Sequence, residues 1–398
     1  MNAMGFAWRS LVRQPARASL GVLGVAAVGA LLFDMLLLSQ GLVISMRDLL
    51  ERTGFDLRVT ATDALPGQGP LIPNAVDRTQ AISHLPSVRS AIALRFANAV
   101  VLAGAPRGVY TTFQGVAGTG AAHPWTILRG RDVTAGRPEI VINENTAART
   151  RLAAGSRVML RASCNSQEQA LPPVPFIVSG IAQFPFDSPN GTTIATSLQM
   201  LATACGGNEA NEADVIMVAS RERAGPAAAV SDVAKLLPDL HVLSNAEAVN
   251  RFERGGFTYF RQISTVLTAV TLSFSVLLIT VLLTVSINQR LGEIAALRAL
   301  GFSRWRVVAD VFCESVLIVG GGGLLSLPVG ALLAIGLDHI LKRIPGIPAD
   351  VHFFVFQPSA LQIHLLLLSA TAIVAALYPI RIVARLPIAA TLRDEVVG

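Results

Sequence analysis

Hydrophobic positions fall into two rhythms along this chain. Four stretches, residues 18–44, 262–287, 307–337 and 361–380, are apolar almost all round. A helix of about 20 apolar residues crosses the hydrocarbon core, so each stretch is long enough to span a bilayer. Ile263 to Ile287 and Leu317 to Leu337 carry no charged residue at all. A cleavable signal peptide competes for the first stretch, because arginines precede its apolar run. That run is too long for one, and no convincing small-residue cleavage site follows it.

Between the first and second stretches, residues 45–261 change rhythm. Short runs rich in Val, Ile and Thr, several alternating in polarity, predict strands at Asp56–Thr60, Arg89–Phe96, Val109–Gly115, Glu139–Asn143 and Arg157–Arg161. Further strands are expected at Phe176–Ala182, Thr192–Thr196, Asp214–Ala219 and His241–Leu243. Helices are expected at Ala75–His84, Asn145–Leu152, Ser197–Ala204 and Pro226–Leu237, with another from Asn245 onward. Strands alternating with short helices imply split βαβ units with helices on one face. A division into two lobes is expected near Gly120–Pro138. The fold class is therefore a membrane α-helical protein with four transmembrane helices. A large α+β extracytoplasmic domain is inserted between helices 1 and 2.

Composition agrees. The chain has 398 residues, 52% of them hydrophobic and only 15% charged. Soluble domains carry about 25% charged residues. The net charge of +6 is almost all arginine, since Lys235 and Lys342 are the only lysines. No basic run is interleaved with aromatics, so nucleic acid is not a partner.

Charge sets the topology. Arg9, Arg13 and Arg17 precede the first span; Arg290, Arg298, Arg304 and Arg306 sit in the loop 288–306; Arg381, Arg385 and Arg393 follow the last span. Short arginine-rich loops mark the cytoplasmic side, which places both termini inside a bacterial inner membrane. Long domains translocate whatever their charge, so arginines in 45–261 do not oppose this. The tail 381–398 is cytoplasmic on the same count.

The loop 288–306 is the most informative segment. Leu291, Ile294, Ala295, Leu297, Ala299 and Leu300 spread over most of a helical circumference, and Gly301 suits a C-cap. Such a helix needs cover on two sides, unless the loop is a solvated turn whose arginines only set topology. The run Arg290-x-x-Glu293-Ile294-x-x-Leu297-Arg298-Ala299-Leu300-Gly301-x-Ser303-Arg304 resembles the segment after the second span of MacB-like ABC-transporter permeases, a family that includes LolC/LolE- and FtsX-type subunits. The order of segments agrees with that family over the whole chain. The resemblance implies a separate ABC-type ATPase gripping this loop through Arg290, Glu293, Leu297, Arg298, Gly301 and Arg304. It also implies a dimer with a second copy or homologue, and leaves room for a periplasmic adaptor or membrane-fusion protein. The implied function is a permease subunit carrying ATP-driven movement to its external domain for export or extraction. The alternative is an FtsX-type scaffold that activates an extracytoplasmic cell-wall hydrolase.

Other residues carry narrower expectations. In residues 1–17, Met4, Trp8, Leu11 and Val12 share one helical face and the arginines another, an interfacial helix that Pro15 ends. Asp34 either faces the bundle interior or sits hydrated near the outer interface. Gly255-Gly256 is a weak point before the second span, and Arg306 is placed to pair with Asp310. Gly322, Ser326, Gly330 and Ala334 recur every four residues in the third span. Such a face lets two backbones approach closely in lipid, forming a dimer or bundle seam. The loop 338–360 rests His352 to Phe356 at the interface, and His364 is read as an interface residue. Cys164 and Cys205 lie outside, where an oxidising compartment allows a disulfide, or they stay unpaired. Cys313 reads as packing.

Catalytic signatures do not occur. G-x-x-x-x-G-K-[ST], H-E-x-x-H and G-x-S-x-G are missing, and the six histidines are scattered. The chain is expected to be no enzyme and to hold no metal or cofactor, ATP being bound by the partner. The topology predicts that a membrane-impermeant thiol label on Ser166→Cys reacts in intact cells, whereas one on Ser303→Cys reacts only after lysis. The opposite pattern would overturn the arrangement.

Overall fold

The computed structural model describes residues 3–13, 15–64, 67, 69–104, 107–118, 123–164, 171–207, 211–255, 258–288, 292, 303–342, 348 and 350–384. These divide into a membrane unit, built from residues up to Leu42, from Gly256 to Ile340 and from His352 onward, and a head built from Val43–Gly255 with Leu341–Val351.

The membrane unit holds α1 (Ala3–Arg13), the apolar length of α2 (Pro15–Arg52), α8 (Thr258–Asn288), α9 (Arg304–Leu341) and α10 (Pro358–Ala384). Pro15 opens α2 at the position where proline's missing N–H costs nothing. Four helices here are long and apolar enough to cross a membrane. The packed side is lined by Val25, Leu32, Ile279, Leu283, Ile318, Leu368 and the small residues Ala372, Ala375 and Ala376. The opposite faces keep large apolar side chains open, Phe274, Leu277, Leu332 and Leu366 among them. Water would penalise such faces; hydrocarbon does not. On α1, Met4, Trp8 and Val12 are exposed along one stripe while Ala7 is buried, which suits a helix lying in an interface.

The head is built on one mixed sheet of ten strands. These are β1 (Leu57–Thr60), β3 (Val88–Val101), β4 (Val109–Gly118), β5 (Thr126–Gly130), β6 (Glu139–Ile142), β7 (Arg157–Ser163), β8 (Val174–Gln183), β9 (Thr193–Ser197), β11 (Val215–Ser220) and β12 (His241–Ser244). They run in the order β12-β1-β11-β3-β4-β9-β6-β8-β5, with β7 bridging β3 and β8. A small second sheet pairs β2 (Ile72–Pro73) with β10 (Glu212–Ala213). Its helices are α3 (Ala75–Ser83), α4 (Glu144–Thr150), α5 (Leu198–Ala204), α6 (Gly225–Leu236) and α7 (Asn245–Gly255).

The longest strand, β3, is buried on both faces, and its two faces differ. Ala91, Ala93, Ala97 and Ala99 give one face little bulk, so helices settle close to it; Ile92, Leu94 and Phe96 pack on the other, around Trp125 and Phe184. Next to it, Gly115 of β4 is required by α5, because a Cβ there would stand 2.8 Å from the Leu201 side chain. Local chemistry starts the helices. Asn143 caps α4 by accepting from the Thr146 N–H at 2.8 Å, and Ser197 caps α5 the same way from Met200. The first residue of α7, Asn245, is tied to β1 through its N–H on the Asp56 carbonyl at 2.8 Å and through the Arg58 guanidinium.

Two lobes share the sheet, and the chain passes from one to the other between β4 and β5, at the start of the stretch Gly120–Pro138. The strand β5 falls inside that stretch and pairs with β8, well within the second lobe. The lobes join where β4 runs parallel to β9, so residues 126–197 form a piece inserted between the strands 57–118 and 215–244. Pairing across the sheet overrides order along the chain. A second finding concerns α2, which does not stop at Ile44 but runs on to Arg52. Within the head, Leu50 of its last turns packs on Ala248 and Val249 of α7.

Polar anchors hold the second lobe. Arg131 grips Glu139 with both nitrogens, at 2.5 and 2.7 Å, and holds its carboxyl at about 2, well below the usual range. Asp187 accepts from Thr193 and from the Asn143 amide, but burial outweighs these bonds and pushes its carboxyl up.

A disulfide joins Cys164, at the end of β7, to Cys205, the cap of α5, across a separation of 41 residues. Both cysteines lie against the second-lobe core. Closing a loop of this length restricts the unfolded chain and stabilises the head by about 2–4 kcal/mol. The double variant Cys164→Ser, Cys205→Ser should therefore lower the head's melting temperature by several degrees in full-length protein. An unchanged melt would show that the bridge is dispensable.

Candidate functional site

The coupling segment named from sequence falls mostly outside the described residues, and this includes Arg290, Glu293, Leu297, Arg298 and Gly301. Arg304 opens α9, and the turn before it is closed by the Arg306 N–H on the Ser303 carbonyl at 3.0 Å. Trp305 beside them is exposed. The Asp310 side chain, expected to pair with Arg306, is also outside the described set.

The part of the site that the structure builds is the contact of α9 with α2. Gly322, Ser326, Gly330 and Ala334 are all buried, on one face of α9. A Cβ on Gly322 would stand 2.5 Å from the Val25 Cβ and 2.9 Å from the Val22 carbonyl. Lower on the same face, a Cβ on Gly330 would meet Phe33 at 3.1 Å and the Ala30 carbonyl at 3.3 Å. The relation is reciprocal, because a Cβ on Gly29 of α2 would stand 2.8 Å from the Ser326 Cβ. Ala334 packs with Phe33 and Leu37. The stripe therefore serves a seam between two helices of one chain. Lipid supplies no hydrophobic drive between helices, so this close approach supplies dispersion contacts in its place.

At the centre of the seam sits a polar pair. Ser326 Oγ lies 3.0 Å from His364 Nε2 and 2.7 Å from the Gly323 carbonyl. A hydroxyl has one proton to give. When it donates to Gly323, the imidazole must donate through Nε2, leaving Nδ1 as the bare nitrogen. Nδ1 has no partner among the described residues. The ring of Phe33 covers the imidazole at 5.2 Å.

This corrects the interface reading of His364, which is 0% exposed. Position along α10 does put it in the outer half of the span, but rotation about the helix turns it inward, and rotation is what hydropathy does not show. Asp34 is likewise 0% exposed, which excludes the hydrated alternative. Neither of its oxygens finds a partner among the described residues. A carboxyl held this way costs several kcal/mol if charged, so the bundle interior is under polar stress there. No group of three or more His, Cys, Asp or Glu suited to a metal occurs among the described residues. Elsewhere, Asp338 at the end of α9 accepts from the Phe353 N–H at 2.8 Å and contacts His352 at 3.2 Å.

Four spans packed around a buried small-residue seam, with an α+β domain inserted after the first, define a multi-pass membrane protein of the transporter-permease class. Two family models match in the order of the segments: MacB-like periplasmic core domain over residues 19–236, and FtsX-like permease C-terminal over residues 265–388. The chain belongs to the MacB-like family of ABC-transporter permeases. Among solved structures it is similar to the periplasmic region of MacB from Actinobacillus actinomycetemcomitans, at 14% identity and a TM-score of 0.39, covering 52% of this chain and 98% of that one. It is also similar to the extracellular domain of the noncanonic ABC-type transporter YknZ from Gram-positive bacteria, at 14% identity and a TM-score of 0.35, covering 48% and 98%. No curated protein matches.

The seam predicts a crosslink. A Cβ on Gly321 would lie 3.6 Å from the Val22 side chain, so Val22→Cys with Gly321→Cys should form a disulfide within one chain under mild oxidation. A product that migrates only as a dimer on a non-reducing gel would place the seam between chains instead.

Proposed function

We propose that this chain is the membrane subunit of an ABC transporter that works mechanically, with ATP hydrolysed by a separate subunit. The observation that carries the proposal is the pair of family matches. One covers the inserted domain, and the other covers spans two to four together with the coupling loop. In this reading the protein sits in the bacterial inner membrane with both termini in the cytoplasm, and pairs with a second copy or a homologue. ATP binding draws the two central loops together. The spans then carry that movement to the heads, which release or push a cargo on the outer side, with or without an adaptor protein. In this reading helix α2, which runs from Pro15 to Arg52, is one route for that movement.

Glu293, Arg298 and Gly301 are the proposed contacts with the ATPase. The two charges would pair with the partner's groove, and the glycine would end the helix that enters it. The FtsX-type alternative shares this machinery and differs only in what the head acts on. The match of residues 265–388 fits both. Co-purification with a periplasmic hydrolase in place of an adaptor would select the alternative.

Charge reversal at both sites, Glu293→Arg with Arg298→Glu, should abolish stimulation of ATP hydrolysis in the partner while leaving the subunit inserted at normal abundance. Coupling at the ordinary level in that variant would sink the assignment of this loop.

A further inference from the structure

The head carries a cleft that the permease reading leaves without a role. Towards one end, β3 and β4 run past the core around Trp125 and Phe184, and the face that was packed there opens to solvent. The register puts Phe96 opposite Gln114, Asn98 opposite Thr112 and Val100 opposite Tyr110, so these side chains share that face. The loop after β8, from Phe184 to Thr192, rises along its side. The cleft is open to solvent along one side and has a volume of about 460 Å³. Small-molecule sites occupy roughly 300–1,000 Å³.

The lining defines a narrow chemistry. Tyr110 is 77% exposed and Phe186 44%, so two aromatic rings stand uncovered at the mouth. Asn98, Thr112 and Gln114 lie between them, and their side chains have no hydrogen-bond partner among the described residues. Among the described residues, no Lys, Arg or His lines the cleft, so a phosphate or carboxylate would find no counter-charge there. Among the described lining residues the one acid is Asp187, whose two oxygens already accept from Thr193 and from the Asn143 amide. A lipid tail would bury amides and a hydroxyl without partners, at a cost for each.

A ligand that satisfies all of these is neutral, rich in hydroxyls, and apolar on one flat face. We propose that this cleft binds a sugar ring of a neutral glycan on the outer side of the membrane. The C–H face of the ring lies against Tyr110 or Phe186, and its hydroxyls bond to the amides of Asn98 and Gln114 and the hydroxyl of Thr112. The site belongs to the head alone and stands whether or not the coupling loop acts as proposed.

The test uses the full chain in lipid nanodiscs, because maltoside detergents carry sugar head groups that would compete. Chitotetraose and cellotetraose are offered in saturation-transfer NMR, with tetraalanine as the neutral peptide probe. At least one oligosaccharide should receive saturation, and Tyr110→Ala and Phe186→Ala should each weaken it about tenfold. Tyr110→Phe should retain binding, since it keeps the ring. Gln114→Ala provides a second route should either aromatic variant shift the melting temperature, and it too should weaken binding. Three outcomes would overturn the proposal: neither sugar binds; binding is indifferent to all of the alanine variants; or tetraalanine binds with the same dependence on Tyr110.

Discussion

Lipid gives an apolar helix no reason to prefer another helix to its surroundings, so the membrane unit depends on how closely two backbones can approach. The α2–α9 contact meets that constraint by removing bulk from both sides. Gly29 on one helix faces Ser326 on the other, and Gly322 and Gly330 face Val25 and Phe33. At Gly29 and Gly322 a single added methyl would collide with backbone or Cβ atoms, where there is little room to yield, and at Gly330 it would press on the Phe33 ring and the Ala30 carbonyl. The seam therefore has a defined depth and register. It also brings Ser326 and His364 within hydrogen-bonding distance inside a medium that punishes unpaired polar groups.

The polar residues in this interior differ in how well they are provided for. Thr280 and Thr284 return their hydroxyls to their own helix, at 2.6 and 2.7 Å, and so are satisfied without help from neighbours. Ser326 shares its hydroxyl between Gly323 and His364. Asp34 has no such arrangement. Polar groups left short of partners favour any rearrangement that supplies one. The head follows a different economy. Its sheet is buried on both faces along most of β3, with alanines where helices come close and larger side chains where loops pack. Several of its polar residues are paired, as Arg131 is with Glu139, whereas Asn98, Thr112 and Gln114 on the face that opens into the cleft have no side-chain partner among the described residues.

Much of this was legible in the primary structure. The expected strands at Asp56–Thr60, Glu139–Asn143 and Phe176–Ala182 are observed within two residues at each end, because short runs rich in Val and Ile report buried strands directly. The helix expected at Asn145–Leu152 is observed at Glu144–Thr150. The strand Thr126–Gly130 was not expected. It is an edge strand, mostly exposed, and has no apolar run to announce it. The small-residue repeat in the third span was visible as a spacing, but nothing in that spacing said whether the facing helix belonged to the same chain. The coupling loop is the reverse case, since its motif is specific while its residues lie largely outside the described structure.

By itself the sequence determined what depends on local pattern: four spans by length and polarity, most strands of the inserted domain by their Val-, Ile- and Thr-rich runs, and the family by one charged motif and the order of segments. Tertiary structure alone decided what depends on rotation and long-range pairing. It turned His364 and Asp34 inward, set Gly322 against Val25, and joined the two lobes through β4 and β9. Hydropathy averages over the circumference of a helix, and strand order is invisible along a chain. For that reason these contacts appear only when the elements are packed.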